Sequence, residues 1–192
     1  MRSLLTFSVV LCVLSVDAGA SSKGKAHNEI LLLGDRRVSI AVPEGFAYSS
    51  GRDDQGVLMT KITDAKGRID LQVRLELDPD SQLGGEAQQM EFLANTCRQY
   101  VESSVEKSFE FKALEPRHGS GTYCSFTDAS LVHRAPYPKG EFLHVTTGVK
   151  VWSGCALVFT VLSNDIDSPE FQTALRLVKD SFEEIPVATP KV

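Results

Sequence analysis

The chain has 192 residues, 42% hydrophobic and 23% charged, a size and composition that suit one domain with its own core. Its 25 acidic residues outnumber 20 basic ones and leave a net charge of −5. That balance argues against a nucleic-acid partner and against an anionic membrane surface.

The opening MRSLLTFSVVLCVLSVDAGA reads as a cleavable secretory signal over residues 1–20. Arg2 is its basic start, Leu4 to Val16 its apolar stretch, and Ala18-Gly19-Ala20 its small-residue cleavage site. The apolar stretch is about 13 residues, short of the about 20 that a membrane-crossing helix needs, so the chain is not expected to span a membrane. Cys12 follows Leu11 rather than a small residue, which does not suit a lipid anchor. The expected location is exported, periplasmic or extracellular. Residues 21–28, SSKGKAHN, are small and polar and read as a flexible lead.

From Glu29 the pattern predicts ordered structure to residue 185, as a single α+β domain. EILLL, a turn at 34–37 and VSIAV form one strand pair, closed by Pro43-Glu44-Gly45. GVLMTKI, a turn at 64–67 and RIDLQVRLEL form the next. In the latter strand Ile69, Leu71, Val73, Leu75 and Leu77 alternate with Asp70, Gln72, Arg74 and Glu76, one face buried and one wet. DPDSQLGG breaks the strand. In EAQQMEFLANTCRQYVESSVEKS the residues Met90, Leu93, Ala94, Cys97, Tyr100, Val101 and Val105 then recur at helical spacing, predicting a helix of about six turns.

FEFKALE and TYCSFTDASL predict a third pair, around a turn at 116–121. FLHVTTGVKVW and CALVFTVL predict a fourth, across Ser153-Gly154. Ser168 and Pro169 open a last helix, with Phe171, Leu175, Val178 and Phe182 inward. Residues 186–192 read as a tail. The simplest arrangement that buries every stripe is an antiparallel sheet packed by helices.

This element order, with VSIAVPEGF in the first segment and a closing helix running into SFEEI, resembles the fold family of PsbP, the extrinsic lumenal protein of the oxygen-evolving photosystem. That family also holds a Ran-binding nuclear import factor and many exported bacterial proteins. The resemblance covers about residues 29–185. It implies an α/β/α sandwich that works by docking to a larger assembly, and it carries no site residues with it.

Three cysteines follow the signal, Cys97, Cys124 and Cys155, in a chain bound for oxidising surroundings. They allow three single pairings with one thiol left over, or all three pack reduced in the core. A helix lying on the sheet brings Cys97 over either of the others, whereas Cys124 and Cys155 are expected on strands separated by one neighbour. The favoured pairing is therefore Cys97 with Cys124.

Sites for chemistry are sparse. His27, His118, His133 and His144 have no metal-ligand spacing, and Asp53-Asp54, Asp78-Pro79-Asp80 and Asp165-Ile166-Asp167 do not match a calcium loop. No cofactor, catalytic or metal residue is expected. Phe46, Tyr48, Tyr137, Phe142 and Trp152 fall at strand ends or in loops, where they either form a docking patch or plug the ends of the sandwich. The expected function is a non-enzymatic accessory module whose partner is another protein. An apolar-ligand or lipid carrier with a cavity lined by Met90, Leu93 and Leu75 stands second, and a thiol-dependent enzyme at Cys124 third.

Overall fold

The computed structural model describes residues 26–78 and 80–185. The expected signal segment 1–20, the first five residues of the lead and the tail 186–192 lie outside them. Strand structure begins at His27, inside the expected flexible lead, because β1 (His27–Leu33) pairs along its whole length with β2 (Arg36–Val42). Between them Gly34 takes φ +64°, the left-handed conformation that a two-residue hairpin asks of its first turn position.

Composition hides β3 (Phe46–Arg52). FAYSSGR has no aliphatic alternation and is held extended by its register with β4 (Leu58–Asp64), Phe46 opposite Asp64 and Arg52 opposite Leu58. From β4 the chain turns into β5 (Ile69–Leu77) around the Asp64 carboxylate. That group accepts the backbone N–H groups of Lys66, Arg68 and Ile69 and the Nε–H of Arg68. Burial opposes its charge, and these bonds outweigh burial and hold the carboxyl below its ordinary range.

Helix α1 spans Glu86–Val101, shorter than its periodicity predicts. Ser103 and Ser104 follow, and their hydroxyls donate back to the carbonyls of Tyr100 and Val101. Such bonds offer the backbone an alternative to further helical turns. Val105 consequently lies beyond the helix and is exposed, while Leu93 and Cys97 are buried together with a polar residue, Gln89. The Gln89 amide is satisfied there, donating to Leu83 O at 2.9 Å and Ser120 Oγ at 2.8 Å.

FEFKALE supplies only β6 (Lys112–Ala113). Phe109 and Phe111 instead turn their rings toward Leu93 and Cys97. Then come β7 (Ser120–Thr127), β8 (His144–Trp152) and β9 (Cys155–Ser163), the last two joined by Ser153 and Gly154, both with positive φ as a type I′ turn requires. Helix α2 (Pro169–Asp180) opens on Ser168, whose Oγ accepts the N–H of Phe171, and leads into β10 (Glu183–Glu184).

These strands form two antiparallel sheets where one was expected. The larger has the order β3-β4-β5-β9-β8-β7-β6 and the smaller β1-β2-β10. The first hairpin leaves the main sheet because Leu31, Leu33, Val38, Ile40 and Val42 bury against Leu58, Ile62 and Ile69, an apolar face that α2 alone does not cover. The helices lie on opposite faces of the larger sheet. Val149 and Val151 of β8 pack toward Phe92 of α1, and the intervening Lys150 reaches the carbonyls of α2.

Cys97 of α1 and Cys124 of β7 are joined in a disulfide, 27 residues apart in sequence and both fully buried, and Cys155 is buried and free. The cross-link holds α1 on its face of the sheet. In equilibrium denaturant unfolding, Cys97→Ala with Cys124→Ala is expected to lose about 3 kcal/mol of stability, mostly through the larger freedom of the unfolded chain. A reducing agent should bring the native protein close to the same midpoint.

Candidate functional site

The five aromatics that would either mark a docking patch or plug the ends of the sandwich fall in different parts of the fold. Trp152 is a core residue, 5% exposed, with its ring 5.1 Å from Lys150 Nζ. Phe46 and Tyr48 pack against the main core from β3. Tyr137 and Phe142 are half-buried in the β7–β8 connection, beyond the end of β8 opposite Trp152.

Cys124 is not available as a nucleophile, because it is fully buried and oxidised to Cys97. The cavity expected between Met90, Leu93 and Leu75 does not form, since Leu93 lies on the α1 face of the larger sheet and Leu75 on the α2 face. Two of the three acidic clusters organise turns, Asp53 accepting from Gln55 and Val57 N–H and Asp165 from Asp167 N–H. In the third, Asp78 accepts from Gln82 and Leu83 N–H at the approach to α1. Among the described residues, no group of three or more His, Cys, Asp or Glu side chains is placed to hold a metal ion.

His144 sits beside a carboxylate far from it in sequence. Thr127 Oγ1 lies 3.2 Å from His144 Nδ1 and 2.7 Å from Glu106 Oε1, and Glu106 Oε2 accepts the Thr127 N–H. Burial lowers the His144 pKa, against the pull of Glu106, Asp165 and Asp167. With both Glu106 oxygens on Thr127, this arrangement straps the segment after α1 to the end of β7.

Lys150 is the charged group that the sequence conceals. It is 1% exposed, and its ammonium donates to Val178 O at 3.0 Å, Lys179 O at 2.8 Å and Phe182 O at 3.5 Å. A cation there meets the negative end of the α2 dipole and takes up carbonyls that the helix end leaves open. Burial pulls its pKa down from 10.5 to about 8, partly countered by Asp180 and Glu183. With its ammonium held by three backbone carbonyls, it fastens the end of α2 to the larger sheet.

The open surface of the molecule is at β1. Ile30 and Leu32 are 56% and 59% exposed, and Leu77, 43% exposed, lies against the β1–β2 turn near Gly34. Shallow grooves flank the strand at both ends, one of about 490 Å³ beside His27, Asn28 and Arg176, the other of about 280 Å³ beside Leu33, Arg52 and Leu77. Backbone parity shows that the strand's outer edge carries open hydrogen-bonding groups. Ile185 N–H donates to Arg37 O at 2.8 Å, so alternate residues of β2 from Arg37 turn toward β10 and the others toward β1. In β1 the residues that bond β2 are then His27, Glu29, Leu31 and Leu33, and the N–H and C=O groups of Asn28, Ile30 and Leu32 point outward. The Leu32 carbonyl, accepting Arg52 Nη2 at 2.9 Å, confirms that direction. Sequence reading missed this site because EILLL reads as core throughout, and only the tertiary placement exposes alternate members.

Lys150→Met is expected to cost about 2 kcal/mol at pH 7, since buried carbonyls lose their donor. The wild type should also respond to pH. From about 8 to 10.5 the unfolded chain holds the lysine proton and the folded chain releases it, so this group adds stability as pH rises through that window. The stability gap between wild type and Lys150→Met, measured by urea unfolding, should therefore widen from pH 8 to pH 10.

Comparison with family models, with curated proteins and with solved structures returned no match to this chain.

Proposed function

We propose that this chain is an exported, non-enzymatic accessory domain that works by binding another protein along β1. The observation that carries the reading is the open edge of β1. Asn28 and Ile30 offer unpaired N–H and C=O groups among the described residues and Leu32 an unpaired N–H, its carbonyl taken up by Arg52, beside aliphatic side chains that a monomer would ordinarily cover. An edge of this kind binds by adding a strand, with main-chain hydrogen bonds for affinity and alternate side chains for selectivity.

Export rests on residues 1–20 and is supported by the buried Cys97–Cys124 disulfide, a linkage that persists outside the reducing cytosol. The acidic net charge favours protein over nucleic acid as partner. The finer description of the fold as a PsbP-like α/β/α sandwich is likewise a proposal, supported by helices on opposite faces of an antiparallel sheet.

A photo-reactive amino acid at position 30, in full-length protein made and exported by living cells, tests the docking surface. Position 102, exposed beyond α1, serves as the control. One defined adduct from position 30 and none from 102 is the expected result. No adduct from position 30, or the same adducts from both positions, overturns the reading. The amino terminus of the exported product is expected at Ser21, and an intact Met1 would refute the signal.

A further inference from the structure

We propose that the occupant of the β1 edge is a second copy of this chain, paired antiparallel strand to strand about a two-fold axis at Ile30. This rests on the docking reading above and names its partner. Natural edge strands are usually blunted by lysine, proline, a bulge or shortness. β1 has none of these. It is seven residues long, its register with β2 is unbroken from His27 to Leu33, and the carboxylate of its one formally charged residue, Glu29, lies 3.2 Å from His27 Nε2.

The edge is self-complementary in one register above all. Only Asn28, Ile30 and Leu32 present outward backbone groups, so hydrogen-bonded pairs must be drawn from these three. Centring on Ile30 uses all of them: Ile30 faces the second copy's Ile30, and Asn28 faces its Leu32 in both directions, each pair exchanging two hydrogen bonds. The Leu32 carbonyl keeps a lone pair for this beside its bond from Arg52.

Charge decides against one of the two neighbouring registers, and the other, with Ile30 opposite Leu32, leaves Asn28 without a hydrogen-bonded partner. A shift that places Asn28 opposite Ile30 sets Glu29 directly against the second copy's Glu29, a like-charge pair that destabilises a sheet. With Ile30 on the axis, Glu29 faces Leu31 instead. The outer face then carries Leu32, Ile30 and their symmetry mates as one aliphatic strip, and the two three-stranded sheets run together. The contact is isologous and closes on itself, which gives a dimer and not a fibre.

Sedimentation of the mature protein over the micromolar to millimolar range tests the association, and disulfide trapping tests the register. Wild type should show a concentration-dependent dimer. Ile30→Lys sets two ammonium groups across the axis and should weaken association by about tenfold or more, with a circular dichroism spectrum like that of wild type. Val105→Lys, at an exposed site away from β1, should not weaken it. Under mild oxidation Ile30→Cys should cross-link readily, because residue 30 faces itself, while Leu32→Cys should cross-link poorly. Leu32→Cys trapping as well as Ile30→Cys overturns the register. A protein that stays monomeric throughout while position 30 captures a different polypeptide overturns the second copy and leaves the docking reading standing. A monomer with no adduct from position 30 overturns both.

Discussion

One buried ammonium ties the carboxyl end of this fold to its central sheet. Lys150 leaves the middle of β8 on the face opposite α1 and ends among the carbonyls of Val178, Lys179 and Phe182. Desolvation opposes placing a cation there, and the helix dipole, the three acceptors and the Trp152 ring offset part of that cost. The bonds set where α2 stops and how the chain leaves it. From Phe182 the backbone passes directly into β10, which pairs with β2 at Ser39 and Val38. The lysine thus anchors the end of α2 from which the chain enters the small sheet.

The two faces of the larger sheet are secured by different chemistry. On one, α1 is fastened covalently through Cys97 and Cys124 and by the Gln89 amide at its start. On the other, α2 and the small sheet rest on apolar contacts, the lysine, and an ion pair from Arg68 Nη2 to Glu170 at 2.7 Å. Within the small sheet, β2 lies between partners and, among the described residues, β1 has a partner on one side only. The inner residues of β1 are core, and the outer ones are the largest apolar exposure near any free backbone edge in the described chain. Function, on this reading, is carried by an incomplete sheet and not by a pocket.

Where a strand shows alternation, as from Leu71 to Glu76, period and burial agree, while at the two ends of the same strand Asp70 is buried and Leu77 exposed against the alternation. Where the element depends on a partner, the sequence is silent. FAYSSGR becomes a strand only because β4 pairs with it, and VESSVEKS leaves the helix because two serine hydroxyls and a bridge to Asp128 compete with further turns. The aromatics at 46, 48, 137, 142 and 152 show the same limit. Their positions near strand ends were readable, but whether a ring at an end faces solvent or core depends on what crosses above it. The candidate site was the least legible part, because five consecutive aliphatic or acidic residues contain no mark of which alternate set will face outward.

The sequence by itself determined the local structure: the alternating strands, the turns at Gly34, Asp64 and Ser153-Gly154, and the capped start of α2 at Ser168. It also set the net charge of −5 and put a cysteine on the buried stripe of a helix. Those features follow from interactions within a few residues, where side-chain period, φ preference and capping act. Only the tertiary structure decided that the first hairpin forms its own sheet, that Lys150 is interior, and that Ile30 and Leu32 stay outside. Each of those outcomes depends on which distant surface arrives to cover a residue, and burial is a property of the assembled layers rather than of any stretch of chain.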